Sequence, residues 1–125
     1  MAYPGPVTDD ENLTRFVTKR SQIKEGGRVH HSVLCPSEKH SYTTSVYRTD
    51  DLNRDEIWGL ADTNIAVPVL AETTIKTQAV YENDLNLDPD DIPPRHANII
   101  NWPHDRKQYR SIAQKLAAKA NHRIR

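Results

Sequence analysis

The sequence predicts an α+β fold in which a small antiparallel sheet carries a helix or two. Three observations support this class. Two runs at 28–48 read as the strands of a hairpin, and amphipathic patterns at 53–62 and 104–121 predict a short helix and a C-terminal helix. Strands near 67–81 and 96–100 would complete the sheet.

Length and composition indicate one domain with a modest core. The chain has 125 residues, 36% of them apolar, and its formal net charge is zero. We expect a flexible N-terminal arm at 1–11, rich in Pro, Gly and acids, and a single domain at 12–125. The single Cys35 excludes an internal disulfide, and no apolar run approaches the roughly 20 residues of a membrane span. A cytoplasmic protein without a membrane partner or a cofactor is therefore expected.

The N-terminal half contains the hairpin. Leu13, Phe16 and Val17 stand at i, i+3 and i+4, which favours a helical turn, although a first strand is the alternative. After Gly26-Gly27, the residues of Arg28–Cys35 alternate between two faces, and a run rich in Thr, Val and Tyr follows at Tyr42–Arg48. These two runs form the predicted antiparallel pair.

The helix at 53–62 has a recognisable start. Asn53 is a suitable N-cap, and Glu56 stands three residues later, where its side chain can complete a capping box. Leu52 and Ile57 occupy the positions of a hydrophobic staple. Gly59 weakens the helix, so we expect it to depend on packing against the sheet.

The C-terminal half alternates along 67–81, passes through an acidic loop at 82–91 and reaches a short strand at 96–100. A helix with Pro103 in its first turn follows. Its apolar residues keep the spacing of one helical face, which predicts docking on the sheet.

Two groups of residues raise the question of a metal site. His30, His31, Cys35 and His40 lie close in sequence, but His31 and Cys35 would be roughly 13 Å apart along a strand. The segment 84–90 has the alternating oxygens that open a calcium loop, but Pro89 replaces its glycine and Arg95 its final Glu. No metal site is predicted from either group.

A short pattern is found twice around histidines. His30-His-Ser-Val33 and His96-Ala-Asn-Ile99 both read as histidine, any residue, small polar, aliphatic. This resembles the two-histidine phosphoesterases, which implies one imidazole as base and another as acid. Asn98 departs from the Thr or Ser usual in that family. The resemblance makes His96, together with His30 or His31, the candidate catalytic set.

Charge is distributed unevenly towards the C-terminus. From His104 onward seven basic side chains face one acid, Asp105, whereas 82–91 holds five acids and no base. The basic helix face, including Arg106 and Arg110, could contact the phosphates of nucleic acid. The acidic loop and arm could equally neutralise it within the fold or across a dimer.

The segment before the last helix combines polar groups with rigid entry and exit. Arg95, His96, Asn98 and Trp102 lie between Pro93-Pro94 and Pro103, and Arg95 can bind a carboxylate or phosphate with two hydrogen bonds. Three hypotheses follow. The first is a non-enzymatic interaction protein that binds a protein partner or itself through its sheet edge and C-terminal helix. The others are the histidine-dependent hydrolase and the nucleic-acid-binding module.

Overall fold

The computed structural model describes residues 5–125 and confirms the α+β class. The longer elements are joined by 3-10 turns at 20–22, 25–27, 31–34 and 38–40. The strands and helices, in chain order, are β1 (Asn12–Val17), β2 (Ile23–Lys24), β3 (Arg28–Val29), β4 (Thr44–Arg48), α1 (Arg54–Asn64), β5 (Ala71–Lys76), α2 (Thr77–Glu82), β6 (Asn86–Asp88), β7 (His96–Ile100), α3 (Arg106–Ala118) and β8 (Asn121–Ile124).

Six strands of the described chain form one antiparallel sheet in the order β6-β7-β4-β1-β5-β8. The short strands β2 and β3 form a separate two-stranded ribbon. Neighbours in the large sheet come from distant parts of the chain, since β4 lies between β1 and β7. This arrangement brings the middle of the sequence next to the segment 90–100.

Alternation along the strands gives the sheet two different faces. On the face we call the α3 face, Leu13, Val46 and Ile99 are fully buried with Leu116 of α3. On the opposite α1 face, Phe16 and Tyr47 pack with apolar residues of α1 and with Val69, and form a smaller cluster. Helix α1 therefore covers only part of its face.

Several predicted elements are confirmed. Helix α1 begins after Asn53, whose side chain accepts a hydrogen bond from the Glu56 amide while the Glu56 carboxylate accepts one from the Asn53 amide. Both bonds of the capping box are thus present. The predicted strand at 96–100 is β7, with the same bounds.

The predicted hairpin at 28–48 is wrong. The second predicted strand is present as β4, but it pairs with β1 and β7. Of the first predicted strand, Arg28–Cys35, only Arg28 and Val29 are strand residues, and they pair with β2. The His30 side chain accepts a hydrogen bond from the Ser32 amide and so caps the 3-10 turn at 31–34. Consecutive Val33 and Leu34 are both buried, which a one-sided strand would not allow.

Three other predictions need correction. The segment Leu13–Val17 is part of strand β1, so the helical turn favoured there is wrong and the alternative is right. The long strand at 67–81 ends at Lys76, because the Thr77 amide and hydroxyl bind the Glu11 carbonyl and the chain turns into α2. The C-terminal helix spans 106–118 rather than 104–121, since Asp105 caps it and the chain then forms β8.

The end of the expected flexible arm is held against the sheet. Glu11 is fully buried, and its carboxylate accepts two hydrogen bonds from Arg48, the shorter at 2.6 Å. The carbonyl oxygens of Asp9 and Asp10 also accept hydrogen bonds, from the Gln78 amide and Lys76. Residues 9–11 therefore belong to the packed structure, and residues 1–4 of the expected arm lie outside the described chain.

Candidate functional site

The part of the α1 face that α1 leaves open carries polar side chains from β4 and β7. In the register of these strands, Tyr47 is opposite His96 and Ser45 is opposite Asn98. All four side chains point away from the α3 face, because their neighbours Val46, Ala97 and Ile99 are buried there. The sheet itself therefore fixes the relative positions of Ser45, His96 and Asn98.

These side chains form a continuous hydrogen-bonded chain with Asp90. The Ser45 Oγ is 2.5 Å from the His96 Nε2, and the His96 Nδ1 is 2.7 Å from the Asp90 Oδ1. The Asn98 amide donates to the other oxygen of Asp90, at 3.1 Å. The order hydroxyl, imidazole, carboxylate is that of a serine hydrolase triad.

The carboxylate of Asp90 is held by the loop that precedes β7. Its Oδ1 also accepts a hydrogen bond from the Ile92 amide, and the next carboxylate, Asp91, accepts one from the Arg95 amide. Burial alone would raise the pKa of Asp90, but hydrogen bonds from His96, the Ile92 amide and Asn98 outweigh it and lower the pKa. Asp90 is therefore ionised and oriented towards the imidazole.

Ser45 and His96 line a cavity of about 440 Å³. The other lining residues are mostly polar, and they are Arg15, Cys35, Ser37, His40, Thr43 and Asn98. Arg15 donates from Nη1 to the carbonyl oxygen of Ser45 and from Nε to that of Val33, both at 3.1 Å. The Arg15 guanidinium thus binds the backbone of Ser45 and lines the same cavity. It forms no salt bridge with a carboxylate of residues 5–125.

Two other nucleophiles share the cavity and differ from Ser45. Burial raises the pKa of Cys35 despite the opposing charge of Arg110, so its reactive thiolate is suppressed. Ser37 is 2.8 Å from the His40 Nδ1, but that pair is exposed, and none of the hydrogen bonds described for it involves a carboxylate. Of these three side chains, Ser45 alone contacts a histidine that is also bonded to a carboxylate of residues 5–125.

The candidate partners His30 and His31 lie elsewhere. They line a depression with Gln114 and His122, next to α3, on the opposite side of the sheet from His96. The pairing of His96 with His30 or His31 is therefore not supported. The second histidine at the cavity is His40.

Arg95 and Trp102 were predicted as binding residues, but both side chains make their contacts inside the fold. The Arg95 guanidinium binds both carboxylate oxygens of Asp51, at 2.6 and 3.0 Å, and also the carbonyl oxygen of Arg48. It fastens the start of β7 to the end of β4 and so supports the loop that holds Asp90. Trp102 is only 4% exposed and belongs to the core on the α3 face.

Most of the basic C-terminal charge is paired within the fold. Arg106 binds Glu38, and Lys119 binds Glu82 of the acidic segment. Arg123 and Arg125 of the last strand and tail bind Glu72 and Asp62. Arg110 lies with Arg106 and Lys107 along a shallow groove on α3. This groove is smaller than the continuous basic face that the sequence suggested.

The sequence reasoning singled out His96 and Asn98 but missed Ser45 and Asp90. Ser45 stands in a run of strand residues, and nothing local distinguishes it from Ser41 or Thr43. In the sequence, Asp90 stands out only as an acid of the 82–91 loop and as one of the alternating oxygens at 84–90. Strands β4 and β7 are about fifty residues apart in the sequence, and only their pairing brings Ser45 next to His96 and therefore close to Asp90.

Within residues 5–125, no group of three or more His, Cys, Asp or Glu side chains is placed to hold a metal ion. None of the helices in that range is long and apolar enough to cross a bilayer.

Comparison of the chain with protein-family models, with curated proteins and with solved structures found no significant match. The arrangement of side chains around the cavity is therefore the available indication of function.

Proposed function

We propose that this protein is a hydrolase that cleaves small esters with Ser45 as nucleophile, His96 as general base and Asp90 as the carboxylate that orients it. The observation that supports the proposal is the hydrogen-bonded chain Asp90–His96–Ser45 opening onto a cavity. The 2.7 Å between Asp90 and His96 is within the hydrogen-bond range of a catalytic pair, about 2.6–3.2 Å, and the Ser45–His96 contact is slightly shorter than that range.

The reaction follows from these positions. As the Ser45 Oγ attacks the ester carbonyl carbon, its proton passes to the His96 Nε2. The tetrahedral adduct collapses, and the imidazolium returns the proton to the departing alcohol. A water molecule, which gives a proton to the His96 Nε2, then attacks the carbonyl carbon of acyl-Ser45. The bond between this carbon and the Ser45 Oγ breaks, the imidazolium returns its proton to Ser45, and the carboxylic acid leaves.

Arg15 supplies the positive charge that this reaction needs. Negative charge develops on the carbonyl oxygen during attack, and fixed donors close to it are usually the largest catalytic contribution. Arg15 is anchored by Nε and Nη1, which leaves Nη2 outside these two bonds. Burial lowers the pKa of Arg15, although arginine stays protonated at neutral pH. We assign it the stabilisation of the oxyanion.

The test combines turnover with covalent labelling. Purified protein is assayed on a series of p-nitrophenyl esters and treated with a fluorophosphonate, whose phosphorus is attacked by activated serines with loss of fluoride. Ser45→Ala and His96→Asn should reduce kcat by about 10²–10⁴-fold. Mass spectrometry should place the phosphonyl group on Ser45. Asp90→Asn should lower kcat with KM within about threefold, because it misorients His96 without touching the substrate.

Ser37→Ala is the matched control, since it removes a hydroxyl from the same cavity that is also bonded to a histidine. Its turnover should stay within about twofold of the parent. Equal rates for the parent and Ser45→Ala on every ester, or labelling of Ser37 instead of Ser45, would overturn the assignment.

The interaction hypothesis stays a prediction. The edges of the sheet are β6 and β8, while the apolar side of α3 is already used for packing through Tyr109, Ala113 and Leu116. Binding of a protein partner or a second copy would therefore use a sheet edge together with the exposed side of α3. The nucleic-acid hypothesis also stays a prediction, and it rests on Lys107, Arg110 and their neighbours.

A further inference from the structure

The ribbon formed by β2 and β3 carries two positive charges directly opposite each other. Lys24 is the cross-strand partner of Arg28. Like charges in this position destabilise a strand pair. Neither side chain forms an ion pair with a carboxylate of residues 5–125, Glu25 in the intervening turn included. The fold therefore keeps an unfavourable pair without a counter-charge.

The same two side chains border a depression of about 460 Å³. Its other walls come from three histidines, one amide and three small or aliphatic side chains, which are His30, His31, His122, Gln114, Val29, Ala117 and Ala118. Among the described residues that line it, none is Asp or Glu. The depression thus combines two positive charges and polar hydrogen-bond donors with a partly apolar wall, and it contains no compensating acid.

His30 presents a donor to this depression without needing to be protonated. The Ser32 amide donates to its Nδ1 at 3.1 Å, so the proton of the neutral ring is on Nε2. The rings of His30 and His31 are 4.1 Å apart. Burial, and then the charges of His30 and Arg110, lower the pKa of His31. Both imidazoles line the same depression as Lys24 and Arg28.

We propose that this depression binds an oxyanion of the phosphate class, such as inorganic phosphate or pyrophosphate. Lys24 and Arg28 neutralise its charge, and the His30 Nε2–H donates a hydrogen bond to it. An anion placed between the two cations converts their repulsion into attraction to a common partner. The site lies on the opposite side of the sheet from Ser45, so it is independent of the proposed hydrolase.

The test measures pyrophosphate binding by calorimetry at constant ionic strength, with phosphate and sulfate in parallel. Saturable binding is expected, and the double variant Lys24→Gln with Arg28→Gln should weaken it at least tenfold. The matched control is Lys19→Gln with Arg20→Gln, which removes one Lys and one Arg that are also exposed but lie outside the depression. Its affinity should stay within about twofold of the parent.

Thermal unfolding gives a second readout. Without anion, the Lys24→Gln, Arg28→Gln protein should melt at the same temperature as the parent or higher, since the like-charge pair is gone. With saturating pyrophosphate, only the parent and the control should gain Tm, because a ligand stabilises the state that binds it. Equal weakening by both double variants, or a response matched by chloride at equal ionic strength, would overturn the site.

Discussion

The two faces of the central sheet are covered to different extents. The α3 face is closed by α3, α2 and the 3-10 turn at 31–34, and its apolar cluster runs from Leu13 to Leu116. The α1 face is closed only where α1 lies over Phe16 and Tyr47. The rest of the α1 face, which we call the open half, carries Ser45, His96 and Asn98, and these side chains line a cavity.

The difference indicates which face of the sheet can carry reactive side chains. We call the α3 face the closed face. Side chains on the closed face are fixed by packing, and most buried polar atoms in proteins find a partner inside the protein. On the open half the same rigid strands hold polar side chains next to solvent and next to each other. Substitutions on the closed face should therefore change stability, and those on the open half should change activity.

The largest expected effect is on the closed face. Leu13 is fully buried at the centre of the sheet, in β1, so Leu13→Ala leaves a cavity and should reduce the free energy of unfolding by about 2–5 kcal/mol. Chemical denaturation measures this loss. Ile124→Ala is the control, because Ile124 is 43% exposed on the edge strand β8 and should cost far less. Equal losses for the two variants would mean that the closed face is not the main core.

A smaller effect is expected on the open half. Ser45→Ala removes the hydroxyl that is bonded to His96, and a single hydrogen bond contributes about 0.5–1.5 kcal/mol to stability. The free energy of unfolding should fall by no more than this, although turnover is lost. A loss comparable to that of Leu13→Ala would show that Ser45 is mainly structural and would remove the contrast between the faces.

Local signals in the sequence predicted some of this fold well. The capping box at Asn53 and Glu56 needs only residues three apart, so α1 was found within two residues. Strand β7 was bounded correctly between the Pro93-Pro94 pair and Trp102-Pro103. Elements that depend on near neighbours in the chain are the predictable ones.

Non-local contacts account for the errors. The alternation at 28–35 resembles a strand, but the His30 cap and the burial of consecutive Val33 and Leu34 favour a 3-10 turn. The end of the C-terminal helix was placed too late because β8 exists only through its pairing with β5. Ser45 and Asp90 became candidates for the same reason, since β4 meets β7 only in the folded sheet.

The smallest expected effect concerns pH and isolates Asp90 on the open half. The pKa of Asp90 is lowered in the folded protein, so its contribution to stability is fully present above the ordinary aspartate value of about 4. It is lost as the pH falls through the lower folded value, because the unfolded chain then binds the proton first. Asp90 is 34% exposed at its side chain, which keeps the effect modest.

The measurement compares the parent with Asp90→Asn by chemical denaturation at pH 6 and at successively lower pH. The stability difference between them should shrink below about pH 4. The pKa of Asp51 is also lowered, by its hydrogen bonds and ion pair with Arg95, but Asp51 is common to both proteins. Their difference therefore reports Asp90 alone. A constant difference down to the lowest pH would mean that the Asp90–His96 bond does not favour the ionised carboxylate, and the open half would lose the charge that orients its base.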